Sequence, residues 1–240
     1  MASHVRPSKY ATIPPMSHGE PIVELKLSEA AFAKLREFGN SLKPVDEETG
    51  WFFQIVFELM DAALTNYQQL RTAYNETNFT LLAWACRNLL ELAIFTKYVL
   101  ISEVNARRFA DDRLIDGCDI ITSLRTLELH IDPKSDTKLL DDALARMQAQ
   151  KAAEGVTSKR FLASGDLADA VGMKEDFACM NRVCSKLVHP TAWSVLAMNK
   201  GENSFSQSRQ IFFSAGVQYG CDLYLAIQAH NATYGMKPKP

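Results

Sequence analysis

The residues with the clearest capacity for chemistry lie at the end of a predicted helix at 173–188. At about 100° per residue, Arg182, Lys186 and His189 share one face of this helix, and Arg182 and His189 are seven positions apart. Pro190 disfavours a helical conformation at His189, which places the imidazole at the helix C-terminus. A guanidinium on phosphate oxygens and a histidine acting as acid or base are what metal-free RNA cleavage through the 2′-hydroxyl needs.

A second polar spot lies in the most apolar predicted helix. Arg87 and Glu91 are four residues apart on one face, with Tyr98 in line below them, and most of their neighbours are aliphatic or aromatic. Such a helix is central in a bundle, so we expect the two charges to be partly buried and therefore paired. Arginine before glutamate is the less favourable helical order, which predicts a further partner for each residue across the bundle.

Both patterns also have a structural interpretation. Arg182 and Lys186 can form a solvated helix face with His189 as a C-terminal cap, while Arg87 and Glu91 can form a salt bridge that fixes helix packing. On that interpretation the chain is a non-catalytic helical module for binding or assembly, and the 182–189 face docks a partner protein. If Arg182, His189, Arg87 and Glu91 converge within a few ångströms in a cleft, the catalytic interpretation is favoured. If His189 is isolated on an open surface, the binding or assembly interpretation is favoured.

The same residues resemble those of a bacterial all-helical family of unknown function. In that family an Arg-x-x-x-Glu helix pairs with a Ser-x-x-x-His-Pro helix end, and here Arg87 and Glu91 form the first motif while Ser185, His189 and Pro190 form the second. That family is similar to the HEPN superfamily. HEPN proteins are helical bundles that often dimerise and act as metal-independent ribonucleases in toxin–antitoxin, abortive-infection and CRISPR systems.

This resemblance implies a cofactor-free homodimer that binds RNA, with an antitoxin or another protein as a partner. It implies that His189 is a general acid or base and that Arg182 is a clamp on the phosphate. The residues implied to support or bind are Lys186, Ser185, Arg87, Glu91 and Tyr98. The Arg182 to His189 spacing matches the outer limit of the HEPN signature, whereas Val183 replaces the polar residue that usually follows the arginine. Many HEPN-like proteins bind without cleaving, so both activities stay open.

Other functional signals are weak or absent from the sequence. Asp112, Asp116 and Asp119 share a helix face as Mg²⁺ ligands could, but nearby arginines favour a solvated, mixed-charge surface. The sequence has no P-loop, G-x-G-x-x-G, G-x-S-x-G, H-E-x-x-H or Glu-x-x-His motif, so the corresponding enzyme classes lack their minimum parts. Five single cysteines without a C-x-x-C pair predict reduced, mostly buried thiols. We therefore expect neither a metal nor a cofactor.

Helical periodicity predicts an all-α fold, a single multi-helix bundle at residues 28–235. We expect a flexible leader at 1–27, with one strand-like segment at 22–27, and a disordered tail at 236–240. Lys159 and Arg160 lie in a predicted loop and could extend a phosphate-binding patch. Gly216 and Gly220 predict close helix packing inside the bundle rather than across a dimer. The predicted helices are 28–38, 51–74, 79–101, 103–129, 137–152, 173–188 and 205–232, with a loop at 154–165.

Charge and hydropathy restrict the partners and the location. A net charge of −2 gives no overall attraction to nucleic acid or an anionic membrane, so RNA binding requires a local patch. The leader has no apolar run of signal-peptide length, and the apolar stretch 79–102 is interrupted by Arg87, Glu91 and Lys97. The sequence therefore predicts a soluble, cytoplasmic protein without a membrane span.

Overall fold

A computed structural model of the chain describes residues 30, 32–34, 36–157, 162–189 and 202–239, except the side chains of 202–207. These residues form helices and no strand, which confirms the predicted all-α bundle. The predicted leader, including the strand-like segment at 22–27, lies outside the described residues. The helices are α1 (helical residues 30, 32–34 and 36–41), α2 (Gly50–Asn75), α3 (Phe79–Val99), α4 (Glu103–Ile131), α5 (Lys138–Ala153), α6 (Ser164–Ala170), α7 (Lys174–Val188) and α8 (Glu202–Tyr234).

Helix α3 is the centre of the bundle. It packs against α2, α4, α6, α7 and α8, because its apolar residues surround its whole circumference. Its start is fixed by Asn78, whose side-chain oxygen accepts a hydrogen bond from the Leu81 backbone N–H at 3.1 Å. The helix ends at Val99, two residues before the predicted end. Helix α7, which carries most of the candidate site, is positioned by its packing against α3.

By length and composition alone, α3 could also cross a membrane. An 18-residue window within Phe79–Val99 has a mean hydropathy of 1.3, and half of that window is buried inside the protein. The core helix of a soluble protein passes the same test. Because α3 packs against five other helices, burial in the bundle accounts for its composition.

Helix α8 packs closely against the rest of the bundle through two glycines. A Cβ added to Gly216 would lie 2.8 Å from the Leu70 side chain, and one added to Gly220 would lie 2.5 Å from Phe32. The small residues of this helix therefore allow close approach within one chain, as predicted. Helix α8 is also longer than predicted, since it includes Glu202 and continues to Tyr234.

Two local predictions are wrong. The helix predicted to end before Gly39 continues to residue 41, because Gly39 is buried and faces the Met60 side chain in α2. Helix α6 occupies Ser164–Ala170, and its start overlaps the loop predicted at 154–165. This helix has only two turns and contains Gly165, so it is too short to give a recognisable 3.6-residue period.

The C-terminal segment is packed rather than disordered as predicted. Met236 is 1% exposed, and the Lys237 carbonyl lies 2.7 Å from His230 Nε2. The Lys239 carbonyl accepts a hydrogen bond from the backbone N–H of Glu103 at 2.7 Å. That N–H is in the first turn of α4 and has no partner within the helix, so the tail supplies the missing acceptor.

Candidate functional site

Helix α7 carries most of the predicted site and ends where the sequence predicts. Its helical residues are Lys174–Val188, and His189 follows in an extended conformation with φ −91° and ψ 145°. Pro190 explains this end, because proline excludes the helical conformation at the residue before it. The His189 backbone N–H still donates to the Ser185 carbonyl at 3.2 Å. The imidazole is therefore attached directly to the end of a helix.

One side of α7 is buried and the other faces solvent. Cys184 and Leu187 are buried where α7 packs against α3. Ser185 is half-buried at the edge of this contact. The exposed side carries the three predicted residues Arg182, Lys186 and His189. The sequence therefore predicted the exposed face of α7 correctly.

A polar cluster joins α3 to α7 beside this exposed face. Arg87 Nε donates to Glu91 Oε1 at 3.0 Å, and Arg87 Nη1 donates to Ser185 Oγ at 3.4 Å. The side chains of Arg87 and Glu91 are 29% and 22% exposed, so each partly buried charge is compensated by the other. The arginine has a partner across the bundle, as predicted. We call Arg87, Glu91 and Ser185 the Arg87 cluster.

Helical spacing relates the Arg87 cluster to the exposed cations. Ser185 is three residues after Arg182 and four residues before His189, so the three lie in one row along α7. Arg182 and His189 are about 10.5 Å apart along the helix axis. The guanidinium of Arg87 contacts the middle of this row through Ser185. An anion lying along the row would therefore meet the guanidinium of Arg182, the hydroxyl of Ser185 and the imidazole of His189, with the Glu91-paired guanidinium of Arg87 behind Ser185.

Two buried thiols lie next to the Arg87 cluster. Cys86 precedes Arg87, Cys184 precedes Ser185, and both cysteines are free and buried. A hydrogen bond between the two thiols raises the pKa of Cys86, where burial acts in the same direction. The bond from Cys86 and the charge of Arg87 lower the pKa of Cys184. The sequence predicted five mostly buried thiols, but only Cys86 and Cys184 are buried; Cys118 and Cys221 are half-buried and Cys179 is exposed. The prediction also missed the contact between Cys86 and Cys184, although each directly precedes a residue of the cluster.

Tyr219 of α8 is buried close to these thiols. Burial is the main cause that raises the pKa of its phenol, and the nearby Cys86 and Asp176 act in the same direction. The phenol therefore stays neutral over the physiological range. Tyr219 lies near the candidate site but could not be singled out from the sequence, because one tyrosine in an apolar helical pattern looks like any other core residue.

Tyr98 does not belong to the Arg87 cluster. It shares a face of α3 with Arg87, but it is eleven residues further along, which is about 16 Å along the axis. Tyr98 is 6% exposed and forms part of the hydrophobic core. Its predicted supporting role is therefore wrong, because an equal angle around a helix does not make two residues neighbours. Asn88 next to Arg87 bonds instead to Asn66 of α2 at 3.0 Å.

The described residues contain no group of three or more His, Cys, Asp or Glu side chains arranged to hold a metal ion. Asp112, predicted to be solvated, is buried, and both its oxygens accept from the Leu162 backbone N–H at 3.1 and 3.0 Å. Through these hydrogen bonds Asp112 holds the chain in place just before α6. Burial, together with the charges of Asp112 and Asp119, raises the pKa of the neighbouring Asp116. Lys159 and Arg160 lie outside the described residues.

Two cavities lie on the α1–α2 side of the bundle. One of about 290 Å³ is lined by residues including Arg36, Tyr67 and Arg71, and one of about 340 Å³ by residues including Asn40 and Asp61. Neither is lined by a residue of α7 or by the Arg87 cluster. Within the described part of the chain, the candidate site is the exposed face of α7.

Comparison of the chain with protein-family models, curated proteins and solved structures finds no significant match. The residues of α3 and α7 therefore carry the functional argument by themselves.

Proposed function

We propose that this protein binds RNA through the exposed face of α7. The residues that would contact RNA phosphates are Arg182, Lys186 and His189, with Arg87 behind them. The observation that carries this proposal is the 3.4 Å contact between Arg87 and Ser185, because it fixes a cation of the central helix against the middle of the Arg182 to His189 row. The chain as a whole has a net charge of −2, so this row is a local feature.

The residue types on this face suit phosphate recognition. A guanidinium presents several N–H donors in one plane and can bind two phosphate oxygens together, as Arg182 would. Lys186 adds a point charge one turn further along the exposed side. Two of the five N–H donors of Arg87 bond to Glu91 and Ser185, which holds the guanidinium rigidly at the edge of the face. A preorganised cation loses little conformational freedom when an anion binds.

We further propose metal-independent cleavage of the bound RNA. A base removes the proton of the 2′-hydroxyl, the 2′-oxygen attacks the adjacent phosphorus, and the bond to the 5′-oxygen breaks. An acid returns a proton to that oxygen, so the products are a 2′,3′-cyclic phosphate and a 5′-hydroxyl. His189 would act as base or acid, and Arg182 would stabilise the charge on the phosphate oxygens. Arg87 and Glu91 would act as positioning residues through Ser185.

The resemblance to HEPN proteins supports this pairing of arginine and histidine, and it adds the biological context. A bacterial toxin or phage-defence ribonuclease would act in the cytoplasm and would be held inactive by an antitoxin or another protein partner. Val183 is 43% exposed next to Arg182, in the position that is usually polar in the signature. RNA binding and RNA cleavage are therefore tested separately.

Binding is tested with fluorescently labelled single-stranded RNA of mixed sequence, by anisotropy at several salt concentrations. We expect the affinity to fall with salt, and Arg182→Ala to reduce the slope of log K against log salt by about 0.7, the value for one lost single-strand phosphate contact. Arg146→Ala on the exposed surface of α5 is the matched control. Equal slopes for the wild type and both variants would contradict the proposed face.

Cleavage is tested by incubating the full chain and its variants with the same RNA in EDTA. We expect products that end in 2′,3′-cyclic phosphate, with a rate at least about 100-fold lower in His189→Gln and Arg182→Ala. Arg146→Ala should cleave like the wild type. If the wild type binds RNA with the expected salt dependence but leaves it intact, the catalytic part of the proposal is wrong and the binding part stands.

The second candidate function is a non-catalytic helical module for binding or assembly. It is favoured by the exposure of His189 at the end of α7, which the binding or assembly interpretation expects. The Arg87 cluster also favours it, because a partly buried arginine bonded to residues of both helices fixes the packing of α3 against α7. Absence of any RNA affinity in the anisotropy experiment would favour this second candidate.

A further inference from the structure

The C-terminal half of α4 has two apolar stripes, and only one of them faces another helix of the chain. Helix α4 and helix α5 form an antiparallel hairpin, joined by residues 132–137. Side chains such as Ile121 and Leu129 of α4 are partly buried along this contact. In α4 the buried residues Ala106, Asp112 and Leu114 all belong to the N-terminal half. Beyond Leu114, α4 leaves the core of the described bundle.

The second stripe of α4 faces solvent in the described structure. Its members are Ile120, Leu124, Leu127 and Ile131, which are 58%, 49%, 53% and 72% exposed. Leu139 in the first turn of α5 is 84% exposed. We call these five residues the hairpin seam. Steps of four, three and four residues are the spacing of the a and d positions of a coiled coil, which face a partner helix.

The hairpin is not completed by the other described helices. Among them, α5 packs only against α4, and no residue of α5 is buried by the described part of the chain. A helix that carries two apolar stripes is suited to contact two neighbours, as each helix of a four-helix bundle does. The α4–α5 hairpin supplies two of the four helices. A second hairpin would supply the other two.

The size of the hairpin seam fits a dimer interface. Five half-exposed to mostly exposed Leu and Ile side chains present on the order of 400 Å² of apolar surface, about the size of the largest apolar patch on a typical monomer, which is often functional. A standard interface takes roughly 800 Å² from each partner, of which somewhat over half is apolar. The hairpin seam therefore supplies about the apolar area that one half of a two-fold interface needs. A purely aliphatic stripe is also complementary to itself, as a two-fold axis requires.

We propose that two copies of this chain associate through their α4–α5 hairpins to form a four-helix bundle. The hairpin seam of one copy packs against the same residues of the other, so the cationic face of α7 stays outside the interface. Nucleic acid is disfavoured as the occupant because residues 115–131 carry three carboxylates, Asp116, Asp119 and Glu128, against one arginine, Arg125, which is paired with Asp141. An anionic membrane surface is disfavoured for the same reason.

The test is the molar mass of the full chain by light scattering after size-exclusion chromatography, from about 1 to 100 μM. We expect a dimer whose melting temperature rises with protein concentration. Leu124→Glu with Leu127→Glu should weaken the dimer by at least roughly 100-fold. Thr122→Glu with Thr126→Glu is the matched control, because both threonines are exposed on α4 away from the seam and receive the same charges.

Circular dichroism shows whether each variant is folded. Ile131→Glu is a second seam variant with little risk of unfolding the chain, because Ile131 is 72% exposed. A folded, monomeric seam variant beside a dimeric control supports the proposal. A wild type that is monomeric at 100 μM overturns it, and so does a dimer that persists in both seam variants. RNA binding by a monomeric seam variant would show that association and the α7 face are independent.

Discussion

Helices α3 and α5 differ most in how they use their apolar residues. Helix α3 buries eleven of its 21 residues, whereas α5 buries none of its 16 within the described part of the chain. Both helices contain several leucines and alanines, but three of the 21 residues of α3 are charged against five of the 16 residues of α5, so composition accounts for part of the difference. In α3 the apolar residues occupy every side, while in α5 they share the circumference with charged residues.

This difference separates the source of stability from the surfaces that remain available for function. The centre of the bundle at α3 holds its charges only where they are compensated, as in the Arg87 cluster. The α4–α5 hairpin leaves five aliphatic side chains of its seam half-exposed or more. Substitutions should therefore affect folding at α3 and association at the hairpin.

The largest expected effect comes from the same truncation made in both regions. Leu89→Ala in α3 removes a fully buried side chain and should lower the free energy of unfolding by about 2 to 5 kcal/mol. Leu139→Ala at an 84% exposed position in α5 should change it by no more than about 0.5 kcal/mol. Urea denaturation at submicromolar protein, where association contributes little, measures both. Equal losses would mean that the hairpin is as much a part of the core as α3.

The next effect concerns the place where α4 leaves the bundle. Asp112→Ala removes the acceptor of the Leu162 backbone N–H, which is buried with it, and should cost about 1 to 3 kcal/mol of unfolding free energy. Asp119→Ala, which removes an exposed carboxylate from the same helix, is the control and should be near neutral. Urea denaturation of both variants measures the difference. A neutral Asp112→Ala would show that α6 is held without this contact.

Much of the fold could be predicted from the sequence because the signals were local. Asn78 at the start of α3 and Pro190 after α7 act within one or two residues, and both mark the observed boundaries. Helix α6 and the packed Met236 could not be predicted in this way. Their packing depends on distant partners; the tail, for example, is held by the backbone N–H of Glu103, which donates to the Lys239 carbonyl.

The candidate site was predictable in part for the same reason. The exposed face of α7 follows from helical spacing alone, so Arg182, Lys186 and His189 were placed correctly. The partner of Arg87 could be expected but not identified, because Ser185 is 98 residues away and no sequence period links the two helices. Tyr98 was expected near Arg87 because the two residues share a face of α3. The prediction did not take into account their separation along the helix axis, which is about 16 Å.

Between pH 8 and 5, a pH dependence should arise in the packed core, next to the C-terminal segment. Burial lowers the pKa of His230, whose Nε2 lies 2.7 Å from the Lys237 carbonyl. The unfolded chain then binds the proton more tightly, so this contribution to stability is complete above the unfolded pKa near 6.5 and is lost as the pH falls through the folded pKa. Urea midpoints at pH 8, 6.5 and 5 measure it.

His230→Gln can retain a donor to the Lys237 carbonyl but cannot titrate, so it should lose less stability than the wild type between pH 6.5 and 5. Identical losses in the two proteins would assign the acid sensitivity to other groups.

The smallest expected effect concerns a contact between α2 and the N-terminal part of α4, the helix that continues into the hairpin. The guanidinium of Arg107 lies over the ring of Trp51 in α2, 3.5 Å from its centre, and its side chain is 54% exposed. Arg107→Gln should cost only about 0.5 to 1 kcal/mol, the range for an exposed cation–π contact. The neighbouring exposed Arg108→Gln is the control, and a change in tryptophan fluorescence should accompany only the Arg107 variant. If Arg107→Gln lowered the free energy of unfolding by more than about 2 kcal/mol, the N-terminal part of α4 would be held to the core as firmly as the helices around α3. That result would contradict the view that the hairpin is only weakly coupled to the core.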